Sequence, residues 1–174
     1  MNRLSTRRSV LTAVAASGAL GASLALAGPA LAVAPATATA SYNCDAAGSG
    51  TITLTAADSG GVKSVKLDSA DIVAQFPYAA NSVTTTLKLT KASGGEVQFS
   101  GAVHPAASTG DPLSFGPLPL TSGSLATGDT TDSAALSGTP SAANWSLKFV
   151  VTNAGGTFTS YCTATSAQSS AFTW

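Results

Sequence analysis

The sequence predicts an all-β fold, an antiparallel β-sandwich with immunoglobulin-like or related Greek-key wiring. Three observations carry that expectation. Apolar residues alternate with hydroxyl and charged residues at a period of two, turn signals recur at short intervals, and the chain beyond residue 40 has no helical period.

The alternation is clearest in "SVTTTLKLTK", Ser82 to Lys91, where Val83, Thr85, Leu87 and Leu89 share one face and Thr84, Thr86, Lys88 and Thr90 the other. "ASGG" turns the chain into "EVQFSGAV", where Val97, Phe99, Gly101 and Val103 repeat the pattern, so the two segments predict a hairpin. A second hairpin is "NWSLKFVVTNAGGTFTSYCTA". Trp145, Leu147, Phe149 and Val151 are expected inward before its "NAGG" turn, and Phe158, Ser160, Cys162 and Ala164 inward after it. Upstream, Ile52 and Leu54 precede a Gly60-Gly61 turn, and Val65 and Leu67 follow it. "DIVAQFPY" predicts a short strand ended by Pro77, and "SSAFTW" a last one carrying Phe172 and Trp174. Between residues 104 and 144 the prolines 105, 112, 117, 119 and 140 break the pattern. That stretch is expected to form long loops and edge strands around "LSF" and "SAALS". The total is eight or nine short strands.

Residues 1–40 have the layout of an export signal: Arg3, Arg7 and Arg8, an apolar run from Val10 to Ala27, then small residues. "TRRSVL" places Arg7 and Arg8 as in a twin-arginine motif, with a general secretory signal as the rival. The apolar run is built of alanine and closed by Gly28-Pro29 without a charge cluster, so cleavage is expected rather than a membrane span. Two small-residue sites offer themselves, "ALA" at 30–32 and "ATA" at 38–40. The second is preferred because the Ala/Thr/Pro segment between them looks like a spacer, which makes 41–174 a single β-sandwich domain. The expected location is outside the cell, free or loosely held at the cell wall.

In 41–174 there is no arginine, and five lysines face eight carboxylates, a net of −3. This is no footprint for nucleic acid, and it offers no guanidinium clamp for phosphate. Nineteen threonines and twenty serines supply the polar surface instead. In an exported chain the two cysteines, Cys44 and Cys162, predict a disulfide that staples the N-terminal region to the C-terminal hairpin.

Catalytic chemistry finds little purchase. His104, Ser108 and Asp111 lie within eight residues, whereas a triad draws its members from separate elements, and no GxSxG elbow is present. Asp68 with Asp71, and Asp129 with Asp132, lack the ligand density of a calcium loop. Glu96 is the one glutamate, too few for a glycosidase pair. No catalytic residue, cofactor or metal is expected. Among the aromatic residues Trp145 is expected in the core, while Tyr78 and Tyr161 are the candidate glycan-facing rings.

The alanine-rich leader, "YNC" near the start of the domain, the Thr/Val-rich strands and the late "YCTATSAQSSAF" together resemble small secreted β-sandwich proteins of unknown function from high-GC Gram-positive (actinobacterial) bacteria. The resemblance implies an exported protein and brings no active site. The function expected is a non-enzymatic structural or interaction role at the cell surface; the sequence does not identify the partner, the candidates being cell-wall glycan and a surface protein. The alternative is a carbohydrate-binding module for cell-wall glycan.

Overall fold

The computed structural model describes residues 32–153 and 156–174; Arg7, Arg8 and the centre of the "NAGG" turn lie outside these. The strands in chain order are β1 (Thr37–Asn43), β2 (Ser49–Ser59), β3 (Val62–Val73), β4 (Val83–Lys91), β5 (Glu96–Gly101), β6 (Pro112–Ser122), β7 (Thr130–Asp132), β8 (Leu147–Asn153), β9 (Gly156–Ala164) and β10 (Phe172–Thr173). Among the described residues the only helical turn is a 3-10 turn at Asp45–Ala47. No helix there is long and apolar enough to cross a membrane.

The all-β class follows the sequence, and so do the hairpins: Leu87 pairs with Phe99 across β4 and β5, and Leu147 with Cys162 across β8 and β9. The architecture differs from a two-sheet sandwich. Hydrogen bonding runs β4, β5, β6, β3, β2, β1, β9, β8, and β8 pairs again with β4, closing an eight-stranded antiparallel barrel. Period-two alternation states which side chains point inward. It is silent on whether the first and last strands of the series meet, and that pairing separates a barrel from an open sandwich.

Two strands act as corners. The first part of β6 pairs with β3 and its end with β5; β9 pairs with β8 along most of its length and with β1 at Thr163 and Ala164. The β6 corner explains the prolines that had argued against a long strand here. Pro112 is its first residue, Pro117 sits in the register shift between the Val65 and Leu67 pairings, and Pro119 directly precedes the first β5 pairing at Leu120. Gly116 makes the bend at φ 109°, where a Cβ would come within 2.9 Å of the Val65 carbonyl oxygen and the Leu118 nitrogen.

β4 relates the two ends of the barrel. From Val83 to Leu87 it pairs with β8, and at Thr90 and Lys91 it pairs with β7, to which β10 adds. The small β7–β10 flap carries Phe172 and Trp174 inward, with Trp174 stacked on Phe99 at 5.3 Å and its indole N–H donating to Thr131 Oγ1. That end is plugged by aromatic packing. Nearby, Tyr42 is 1% exposed and its hydroxyl shares a 2.9 Å hydrogen bond with Ser133.

Burial pushes the Tyr42 hydroxyl from its usual value of 10 up to about 12, against the lowering effect of the Ser133 bond and with a smaller push from Asp132. The folded state therefore keeps a proton that the unfolded chain gives up. The contribution of Tyr42 is full below pH 10 and is lost as pH rises through about 12, by about 3 kcal/mol at 1.36 kcal/mol per pH unit. Urea titrations across this window should show the loss in the wild type and a flatter profile in Tyr42→Phe.

Val33 to Ala40, a spacer by sequence, are built into the barrel. Ala38, Ala40 and Tyr42 point inward along β1, every residue from Thr37 to Asn43 pairs with β2, and Val33 is 4% exposed. Ala34 exchanges two backbone hydrogen bonds with Thr173.

Candidate binding site at the open end of the barrel

The end opposite the plug is open. Inward-facing residues at the starts of β4, β6 and β9 and the ends of β3 and β8 converge there, because each strand begins or stops with its apolar face unfinished. Val83, Leu113, Phe115, Phe149 and Val151 form the floor and walls of a cavity of about 120 Å³, and Phe76, Tyr78 and Phe158 form its rim. Ala47, in the turn after Cys44, completes the wall. No lysine, aspartate or glutamate lines it.

The rim rings differ in exposure. Phe158 is 52% exposed and Phe76 41%, whereas Tyr78 is half-buried, stacked on Phe115 at 6.2 Å and edge-on to His104 at 5.1 Å. Phe158 does share the face of Cys162, as its parity requires. β9 carries it beyond the packed interior, so it lines the opening rather than the core. Burial, and then the charge of Asp111, raise the Tyr78 hydroxyl above its usual value, so the ring stays neutral.

His104 holds this end in shape. Its Nε2 accepts from the Val83 N–H at 2.8 Å, and its Nδ1–H donates to the Pro105 carbonyl at 2.7 Å. Its own backbone N–H donates to the side chain of Asn81. Both ring nitrogens are thus engaged by backbone. Ser108 and Asp111 close a turn of their own, with the Ser108 N–H donating to Asp111 Oδ2 at 2.7 Å.

The aspartates weighed as calcium ligands are each engaged within the fold. Asp68 accepts from Lys66 and Ser114, Asp71 from the Thr51 N–H, Asp129 from Lys91 and the Ala126 N–H, and Asp132 from the Gln168 N–H. The Lys91 hydrogen bond, helped by Ala126, holds the Asp129 carboxyl below its usual range. Among the described residues no three His, Cys, Asp or Glu side chains group as a metal site would require.

Cys44 and Cys162 form the expected disulfide, with both residues buried. Cys44 directly follows β1, so the bond ties the β1 end to β9 beside the cavity wall.

The candidate glycan-facing tyrosines do not meet. Tyr78 belongs to the inner rim, while Tyr161 lies on the outer face of β9, half-buried. Tyr42 and Trp174 are packed inward. Trp145, expected in the core, stands outside beside Tyr161, with ring centroids 6.4 Å apart and planes inclined by 45°. The cause is Ser146: its N–H donates to the Cys162 carbonyl while Leu147 also pairs with Cys162, so two residues oppose one and the parity before β8 flips. Ser146 takes the inward place, accepting from the Ala164 N–H. Lys88 and Lys148 converge on the Trp145 ring at 4.0 and 4.8 Å. Four lysines pair with carboxylates, and among the described residues Lys148 has no such partner. No signal in the alternation marks the Ser146 bulge.

No family model, curated protein or solved structure matches this chain.

Proposed function

We propose that the protein is an exported, non-enzymatic β-barrel serving as an interaction module, whose open end receives an uncharged, ring-sized apolar group presented by an extracellular partner. The export signal supports the location. The observation that carries the binding reading is the uncharged aromatic opening, with Phe76 and Phe158 left facing water. Fully burying a phenylalanine is worth about 1.5–3 kcal/mol, and each of these rings is about half covered already, so roughly half of that per ring is left available to a partner. The 120 Å³ volume is near the ~150 Å³ apolar cavity that accepts benzene. The walls offer no charge to balance an ionised ligand, whose burial would be costly. An uncharged solvatochromic dye tests this. Saturable binding with a blue-shifted emission is expected for the wild type, and at least about a tenfold loss in Phe158→Asp, with an unchanged urea midpoint checked alongside it to separate lost binding from lost folding. Equal binding by both would refute the assignment.

The outer ledge of Trp145 and Tyr161 supports a second reading, cell-wall glycan binding, because an indole with two ammonium groups beside it can hold a sugar carrying an acidic substituent. On this reading soluble cell-wall glycan changes the tryptophan fluorescence, and Trp145→Ala abolishes the change while the buried Trp174 remains. An unchanged spectrum at saturating glycan would remove this reading.

A further inference from the structure

We propose that an export signal peptidase cuts the chain between Ala32 and Val33, so that the exported domain begins at Val33 and retains β1 whole. This rests on the export reading of the leader. Both "ALA" at 30–32 and "ATA" at 38–40 present the small residues such an enzyme requires. The barrel separates them. The Ala40–Ser41 bond lies inside β1, in the middle of the register from Thr37↔Thr55 to Asn43↔Ser49. Cutting there would strip buried Val33, Ala38 and Ala40 from the core, and with them the Ala34 pair on Thr173. It would also leave β2 unpaired on its β1 side from Ile52 to Thr55, remove the two Thr39 hydrogen bonds with Ser169, and leave only Ser41 to Asn43 to bridge β2 and β9. The Ala32–Val33 bond directly precedes Val33, the first buried side chain among the described residues, so hydrolysis there keeps every buried residue of the described barrel in place. Water supplies a hydroxyl to the Ala32 carbonyl carbon and a proton to the Val33 nitrogen, and the products are a leader carboxylate and a new α-amino group. Since Val33 is buried and both backbone polar groups of Ala34 are hydrogen-bonded, the peptidase acts while this segment is undocked from Thr173.

The test is the N-terminus and intact mass of the protein released by a bacterial host expressing the full chain. A single species starting at Val33 is expected. A species starting at Ser41 would overturn this proposal while leaving the export reading in place. Full-length chain still starting at Met1, in cells or medium, would overturn the export reading and this proposal with it.

Discussion

A chain starting at Ser41 is expected to lose cooperative folding, whereas one starting at Val33 unfolds in a single transition. The difference is large because residues 33–40 supply four of the seven β1–β2 pairs and three buried side chains, and without them only Ser41 to Asn43 are left between β2 and β9. Removing 33–40 forfeits the burial of Val33, about 1.5–3 kcal/mol, and of the Ala38 and Ala40 methyls, near 0.8 kcal/mol each. It also unpairs backbone groups of β2, at about 1 kcal/mol for each hydrogen bond lost. The sum is comparable with the ~5–15 kcal/mol that holds a domain of this size together. Urea denaturation followed by near-ultraviolet dichroism distinguishes the two chains. A sharp, wild-type-like transition for the Ser41 chain would show that the strand is dispensable.

The second large effect is expected from Cys44→Ala/Cys162→Ala. The cysteines are 118 residues apart in sequence. In the chain-entropy account a loop of this length restricts the unfolded state by about 4–5 kcal/mol. Neither position is exposed by more than 1%, so the two sulfur atoms also leave space in the core, which adds to the loss. The double variant should denature at a much lower urea concentration than the oxidised protein, and reduced wild type should fall close to the variant. Coincident curves for oxidised and reduced protein would mean that the bond constrains nothing. The effect should reach the open end as well, since the turn carrying Ala47 is held by Cys44.

The legible parts of the fold were those where large apolar side chains alternate with hydroxyls. β4 and β5, with Leu87, Leu89, Val97 and Phe99 buried, needed nothing beyond period two. β1 was missed for a physical reason: its inward residues at 38 and 40 are alanines, which look the same in an export leader and in a strand packed close to its neighbours. The same TATASY run does alternate, and Tyr42 at its end is its one large inward side chain. β6 was hidden by prolines, which are tolerated because they fall at a first residue, a bulge and the position before a new pairing. Trp145 was misplaced by one residue of bulge at Ser146, a local deviation with no compositional mark. Closure depends on β4 meeting β8 at five positions, a long-range pairing that no local pattern encodes. Of the candidate site, Tyr78 was visible as a candidate glycan-facing ring, and Phe76 only as part of the short strand ended by Pro77. Their convergence with Phe158, roughly eighty residues away in sequence, exists only in the folded barrel.

The most direct measurement of the proposed binding site is a methyl-resolved NMR titration of the chain from Val33 to Trp174 with an uncharged aromatic amide. Saturable shifts at Val83, Leu113 and Val151 are expected, with none at Leu89 or Val97 near the plugged end, and all of them lost in Phe158→Asp. Saturable shifts centred instead on the Trp145 indole, or no saturable shift at the cavity methyls, would contradict the assignment of the open end as the binding site.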